Sequence, residues 1–331
     1  MKVVRIHNQD GPTSIQVDDV EVPSPGSGEV RIRVKAAGMN NSDLQTTYGT
    51  YRVGYTGLPH TLGQEAAGEV DAVGKGVTGL VPGMHVVGHV SGAFAEMAIG
   101  RATELLPLPD EVSWEVAASL PIAYLTASMA LVHQAKLQPG EWVLVHPGSG
   151  GVGTAAIQLT QLLGGKAIAT AGTTAKVERL RKLEAEQVLD YSTQDVVSEV
   201  RRICGEAGVQ VALDGGGKVT LPHCLEAIAN HGRIVSYGYT TGIEATLPLV
   251  KLIGRNVRLY GIGLWFNSDY QASLGTLGDL VIPAVAEGKL KPVIDEVVGL
   301  AEVSEALSRM EKRGIVGKMV VVPASEHRNQ Q

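Results

Sequence analysis

EWVLVHPGSGGVGTAAIQLTQLLGGKAIATAGTTAK, residues 141–176, decides the fold. An apolar run from Trp142 to His146 reads as a strand and breaks at Pro147. Small residues follow, Gly148, Ser149, Gly150, Gly151, Val152 and Gly153, and then an Ala/Ile/Leu-rich segment from Thr154 to Leu163 that reads as a helix. Gly164 and Gly165 stop it, and a second strand runs from Ala167 to Ala171. Strand, glycine turn, helix and strand at this length make a parallel βαβ unit.

The turn has a specific physical use. Gly150 permits backbone conformations that other residues resist and leaves out a Cβ that would block a pyrophosphate. Gly153 lets the helix pack closely. The first amides of the helix have no intrahelical partner and sit at the positive end of its dipole, so Ser149, Gly150, Gly151, Val152 and Gly153 are expected to hold a dinucleotide phosphate. An NAD site wants Asp or Glu at the end of the second strand. This chain has Ala171, Gly172, Thr173, Thr174, Ala175 and Lys176 there. Small hydroxyls such as Thr173, with Lys176, suit a 2′-phosphate that a carboxylate would repel, so the expected cofactor is NADPH.

Composition sets the outer bounds. At 331 residues the chain exceeds one typical core and suggests two domains. A formal charge of −6 without a basic run argues against a nucleic-acid surface. Only two cysteines occur, Cys204 and Cys224, neither in a CxxC, which points to a cytoplasmic protein. The start, MKVVRIHNQDG, lacks the apolar core of a signal peptide. Residues 116–135 carry no fixed charge, but Pro121 divides them and polar residues dilute them. A buried helix pair is expected there, not a membrane span.

Residues 1–110 read as β-rich. Val30, Ile32 and Val34 alternate with Arg31, Arg33 and Lys35, the period of a half-buried strand. Val3–Ile6, Ile15–Val20, Glu65–Val73, His85–Val90 and Phe94–Ile99 are further short strands separated by glycine and proline turns, as in a small barrel or sandwich. From about residue 123 strands and helices alternate. The expected order is a helix at Lys176–Glu186, a strand at Val188–Tyr191, a helix at Thr193–Ala207, a strand at Val209–Leu213, a helix near Leu221–Ala229, and strands at Arg233–Gly238 and Asn256–Gly263. That is a doubly wound α/β sheet with its ligand at the carboxyl ends of the strands. A helix at Ala301–Lys312 and a strand at Met319–Val322 close the chain, and the polar tail after Pro323 is expected to fray.

VKAAGMNNSDLQTTYGTY (34–51), LGQEAAGEVDAVGKGV (62–77), SLPIAYLTASMAL (119–131), HPGSGGVG (146–153), VALDGGG (211–217), GRIVSYG (232–238) and GKLKPVIDEV (288–297) together carry a family likeness over nearly the whole chain. The sequence resembles the medium-chain dehydrogenase/reductase superfamily, in its zinc-free quinone oxidoreductase (zeta-crystallin-like) branch. The resemblance implies a GroES-like catalytic domain, residues 1–122 with 265–331, around an inserted Rossmann domain, residues 123–264, with NADPH bound between them. It also implies a homodimer joined through the Rossmann edge strand, here Asn256–Gly263.

Zinc alcohol dehydrogenases of this superfamily place a Cys near the present Asn40 and Asn41 and a His at the present Gln64; here neither thiolate nor imidazole stands there, although Glu65 remains. The four-cysteine zinc lobe is absent too, since residues 84–100 contain no Cys. No metal is expected at these positions. The chemistry left is direct hydride delivery to a quinone or an α,β-unsaturated carbonyl.

The resemblance further implies that Asn40 lines the active site and that Tyr51 aligns with a tyrosine used as proton donor by enoyl-thioester reductases. It sets Thr126 next to the nicotinamide. Tyr191 matches an aromatic at the adenosine phosphate, and Arg313 a basic residue reaching the 2′-phosphate. Tyr237 and Leu264 match strand ends that meet the nicotinamide. Asp43 is expected to cap a turn or helix start, and His60, His89 and His133 have no metal-like spacing. Where relatives end the helix after the second strand with Leu-Gly-Ala, this chain has Leu183-Glu184-Ala185, so Glu184 must take a left-handed conformation or extend the helix. Two other functions stay open at this level: enoyl-thioester reduction, and a non-catalytic NADPH-binding protein of the crystallin kind.

Overall fold

A computed structural model describes residues 1–323; the expected fraying after Pro323 lies outside the described residues. The chain divides into two units, Met1–Ile122 with the C-terminal segment from Ile294, and Ala123–Val293.

The first unit begins with β1 (Lys2–Ile6), β2 (Ile15–Asp19), β3 (Glu29–Met39), helix α1 (Asn41–Thr47), β4 (His60–Thr61), β5 (Glu65–Val73), β6 (His85–His89), β7 (Met97–Arg101), β8 (Leu105–Pro107) and α2 (Trp114–Ala118). In β3 the alternation works as expected. Val30, Ile32 and Val34 enter a core with Val70, Val86 and Phe94, while Arg31 and Arg33 reach across to Asp71 at 2.7 and 3.0 Å. From Ala36 onward both faces are buried and the residues shrink, Ala36, Ala37, Gly38. The strand expected at Phe94–Ile99 instead runs from Met97 to Arg101. Phe94 is spent as a backbone bridge, with its amide on Leu62 O and its carbonyl taking the Val4 amide. The short strands β4 and β8 carry no alternation that marks them in the sequence.

The second unit opens with α3 (Pro121–Ser128, entered from the first unit), which winds on without a break into a π-helical stretch, Met129–Gln134. With α2 this makes the helix pair expected around Pro121, and no helix of the described residues is long and apolar enough to cross a membrane. There follow β9 (Trp142–His146), α4 (Gly151–Leu162), β10 (Lys166–Ala171), α5 (Thr174–Arg181), β11 (Gln187–Asp190), α6 (Val196–Cys204), β12 (Val209–Asp214), α7 (Thr220–Ala227), β13 (Ile228–Ser236), α8 (Leu249–Arg255) and β14 (Arg258–Gly261). The sheet order is β11-β10-β9-β12-β13-β14 with every pair parallel. This is the doubly wound dinucleotide-binding order, whose reversal point lies between β9 and β12. Its strands read as apolar runs because both faces are covered, Leu144, Ile168, Ala212 and Ile234 among them.

Several boundaries differ from the sequence reading. β13 begins at Ile228, inside the helix expected near Leu221–Ala229, and the helix expected at Thr193–Ala207 is shorter at both ends. The edge strand expected at Asn256–Gly263 is only Arg258–Gly261, because Asn256 caps α8 in a left-handed conformation. The helix expected at Lys176–Glu186 starts earlier, where the Thr173 hydroxyl accepts the Lys176 amide, and ends at Arg181. The choice at Glu184 falls to the left-handed conformation, with φ 57°, and Gln161 Nε2 donates to its carbonyl at 2.6 Å. Residues 265–293, expected in the first unit, belong to the second. Its α9 (Tyr270–Thr276) runs through a π turn into α10 (Ile282–Ala286). This stretch is tied back by Gln134 Nε2 to Asp269 at 2.6 Å and by His133 to the Thr276 hydroxyl at 3.1 Å.

The chain then returns to the first unit as β15 (Ile294–Gly299), α11 (Val303–Glu311) and β16 (Lys318–Val322). The order of the large sheet is β15-β16-β3-β5-β6-β8, with β7 also on β3. β15, two residues after Pro292, is a strand that the sequence reading does not name. Register brings three strand ends together. Met319 of β16 faces Met39 of β3, and Ala66 of β5 faces Ala37 of β3. One step further along each ladder stand Lys318, Asn40, Gly38 and Glu65.

Candidate functional site

In the first unit those strand ends build a buried polar cluster. Glu65 is 0% exposed and Lys318 5%. Lys318 Nζ donates to Glu65 Oε1 at 2.5 Å and to Asn40 Oδ1 at 2.6 Å. Asn40 Nδ2 donates to the same Glu65 Oε1 at 2.6 Å, and the Ile122 amide donates to Oε2 at 2.7 Å. The amide orientation of Asn40 follows from chemistry, since an ammonium can only donate and a carboxylate can only accept. Gly38 makes the room. A Cβ there would run into Glu65 Oε1 and the Ala118 carbonyl.

Asp43 is the helix-start residue expected. Its carboxylate accepts the Asn40 amide at 2.7 Å and the Gly63 amide at 3.2 Å, fixing the exit from β3 and the entry to β5. Burial pushes its carboxyl up to about 7, against the Asn40 amide and Lys318, which pull it down; Glu65 adds to the rise, and the Gly63 amide opposes it. Tyr51 lies half-buried in the loop after α1, and Arg313, with φ 55°, follows α11. The histidines have ordinary partners or none of metal type: His89 pairs with Glu104 at 2.7 Å, and the His60 ring lies tilted against Tyr55, with centroids 5.0 Å apart.

The donors in this cluster do not fit a metal ion. Asn40 offers only an amide, and the neighbouring Asn41 and Gln64 carry amides too. Both carboxylates are engaged: Glu65 by Lys318, Asn40 and the Ile122 amide, Asp43 by the backbone amides of Asn40 and Gly63. Among the described residues no three His, Cys, Asp or Glu side chains converge to hold one.

In the second unit the turn after β9 has the expected form. The first intrahelical bond of α4 runs from the Thr154 amide to the Gly150 carbonyl at 2.9 Å, so the amides of Gly151, Val152 and Gly153 stand ahead of it. Gly153 is required by packing, since its Cβ would fall 2.6 Å from the carbonyl carbon of Gly148. For Gly150 the conformational argument fails. Its φ is −83°, open to any residue. What it supplies is bare space, for a Cβ there would meet nothing within 4 Å. That open cradle at a helix N-terminus fits a pyrophosphate.

The end of β10 is more populated than the sequence suggests. Gly172 leaves room for Tyr191, whose hydroxyl would lie 2.5 Å from a Cβ at that position. Thr173 and Lys176 occupy the first turn of α5. A carboxylate does stand nearby, Asp190 at the end of β11, which corrects the expectation of a patch without acidic groups. It is turned into its own loop. Oδ1 accepts the Ser192 amide at 3.0 Å and the Ser192 hydroxyl at 2.5 Å, while Oδ2 accepts the Thr174 hydroxyl at 3.3 Å. The Ser192 hydrogen bonds hold its carboxyl below the usual range.

Two further groups support the turns and escape the sequence reading. His146 Nδ1 lies 2.7 Å from the Thr170 hydroxyl and Nε2 3.3 Å from His223 Nδ1. Burial, then His223, lowers His146 to about 3, so the ring is neutral at physiological pH. Asp214, fully buried, accepts the amides of Gly216 and Gly217 and the hydroxyls of Thr220 and Ser236. Asp-Gly-Gly-Gly at a strand end is the available signal. Tyr237 packs its hydroxyl over Gly215, and burial followed by Asp214 raises its phenol above the ordinary value. Thr126 lies buried on α3, and Leu264 opens the single turn Leu264–Phe266.

Comparison with known proteins agrees with this fold. Residues 26–110 match the family model of the alcohol dehydrogenase GroES-like domain, and residues 151–278 that of the zinc-binding dehydrogenase. The chain is 31% identical to 2-haloacrylate reductase of a Burkholderia species over 96% of its length and 98% of the relative's. Among solved structures it is similar to an NAD-dependent alcohol dehydrogenase, with TM-score 0.87, 33% identity, and 98% and 100% of the two chains covered. It is also similar to Escherichia coli quinone oxidoreductase complexed with NADPH, with TM-score 0.89, 28% identity and the same coverage. With that match across nearly its full length, the chain belongs to the medium-chain dehydrogenase/reductase superfamily, in its quinone oxidoreductase-like branch.

Proposed function

We propose that this protein is an NADPH-dependent oxidoreductase that delivers hydride to a quinone or an α,β-unsaturated carbonyl without a metal ion. The observation that carries the reading is the Lys318 ammonium seated on Glu65 and Asn40. With the Glu65 oxygens engaged inside the protein, the cluster keeps no carboxylate free to hold a Lewis acid, which supports this reading. An acceptor already activated by conjugation needs no such help, and the relative that reduces 2-haloacrylate has an activated alkene as its named substrate.

When bound, NADPH supplies the hydride. The chain's own residues bind and orient. The amides of Gly151, Val152 and Gly153 receive the pyrophosphate beside Ser149 and the bare Gly150. Thr173, Lys176 and Tyr191 surround the 2′-phosphate, with Arg313 as a further cation, and the inward-turned Asp190 leaves that phosphate unopposed. Thr126, Tyr237 and Leu264 hold the nicotinamide. Asn40 donates to the acceptor oxygen as it gains charge, and Tyr51 supplies the proton that completes reduction. Similarity to an NAD-dependent alcohol dehydrogenase makes the choice of dinucleotide the point to measure. The test is oxidation of NADPH beside NADH with a panel of small quinones, enones, 2-haloacrylate and crotonyl thioesters. Turnover with NADPH on quinones or enones is expected, and none anywhere in the panel would overturn the reading.

The same reading includes a homodimer in a cytoplasmic, reducing setting, which suits two free thiols. β14 ends its sheet, and beside it Leu249, Val250, Ile253 and Phe266 are 69–83% exposed. An open strand edge rimmed by apolar side chains suits a second copy of the same edge.

A further inference from the structure

Asn40 is half-buried, at the edge of a cluster whose charged members, Glu65 and Lys318, are buried. A primary amide has two orientations of nearly equal shape, and only its partners choose between them. Here one partner is a pure donor and the other a pure acceptor. Both are withdrawn from water, where such bias is strongest. The second proton of Asn40 Nδ2 is only loosely engaged, 3.4 Å from the Gly38 carbonyl. That long contact is the one an incoming acceptor would replace, on an amide whose orientation Lys318 and Glu65 fix between them.

We propose that Lys318 is the positioning residue of this site: by holding Asn40 Oδ1, it makes Asn40 present its N–H, and not its carbonyl, to the acceptor oxygen. The inference rests on the reductase reading for what Asn40 touches, but the orientation itself is independent of it. A carbonyl turned outward would repel the oxygen that gains charge during reduction. The effect of losing Lys318 therefore falls on the chemical step more than on dinucleotide binding.

The experiment compares wild type, Lys318→Met and the pair Lys318→Met/Glu65→Gln. The single variant strands a buried carboxylate and is expected to unfold earlier. The pair strands no charge and recovers stability, but the Ile122 amide holds the carbonyl of the new Gln and leaves its NH2 facing Asn40, a donor that favours the Asn40 carbonyl on that side and reverses the wild-type bias. For the pair, kcat on a small quinone is expected to stay at least tenfold below wild type, with the NADPH dissociation constant within twofold. Recovery of kcat together with stability would overturn the proposal, as would an unchanged kcat in the single variant. The Asn40 side-chain amide signal in ¹⁵N–¹H spectra, assigned by its loss in Asn40→Ala, gives a readout free of turnover. It is expected to move in both variants, and an unmoved signal overturns the proposal even if wild type reduces nothing. A moved signal with a wild type inactive across the panel keeps the orientation and discards the reductase reading.

Discussion

Lys318 and Glu65 form an ion pair from which solvent is excluded, the first residue of β16 against the first residue of β5. Removing only the ammonium, as in Lys318→Met, is expected to cost about 3–5 kcal/mol, because a buried carboxylate is left without its counter-charge. Replacing both partners by neutral groups is expected to cost much less. Denaturant unfolding of the three proteins checks this, and equal losses in single and double variants would contradict it.

Gly38 is expected to tolerate no side chain. In Gly38→Ala the added methyl meets Glu65 Oε1 and the Ala118 carbonyl, an overpacking worth about 1–3 kcal/mol. The carboxylate must shift to admit it, so turnover should fall along with stability. Unfolding and quinone turnover measured on one preparation test both effects.

Asp43 gives the fold a pH dependence with a definite sign. The unfolded carboxyl loses its proton near 3.8, and the buried one holds it to about 7. Between about pH 4 and 7 the folded chain binds more protons than the unfolded, so stability from this group falls as pH rises through that window and levels off above it. Asp43→Asn is expected to flatten the stability profile there. A profile as steep as wild type would place the titration elsewhere.

Lys176→Glu puts a like charge beside the expected 2′-phosphate. The KM for NADPH is expected to rise about tenfold or more, equivalent to roughly 1.4 kcal/mol, with little change for NADH. Equal effects on both dinucleotides would remove Lys176 from the phosphate site.

Ile253→Lys adds charge to the exposed apolar margin of β14. Sedimentation is expected to show wild type as a dimer and the variant shifted toward monomer. A monomeric wild type would contradict the dimer.

The cofactor unit is legible because each of its devices is local. Trp142–His146, the glycine run and Lys166–Ala171 are neighbours in the chain, and strand apolarity with turn chemistry suffices to read them. The cluster at Glu65 is only half legible. Glu65 stands out as a carboxylate opening an apolar strand, and the missing Cys and His are why no metal is expected beside it. What neutralises it lies 253 residues away, and only the antiparallel register of β16 on β3 brings it there. A lysine opening the apolar run KMVVV is the same kind of signal, easily passed over because strand-end lysines are usually solvated. The Gly150 argument fails for a different reason, since glycine identity alone cannot separate a need for positive φ from a need for empty space. Asp190 escapes because it belongs to the next strand, and proximity across a parallel sheet leaves no trace in spacing.

The most direct test of metal-free hydride delivery is NADPH oxidation by a small quinone, before and after exhaustive chelation, with metal content measured on the same sample. The account predicts turnover that survives chelation unchanged in protein carrying no stoichiometric metal, and much slower turnover with NADH. Activity lost on chelation and restored by zinc would contradict it.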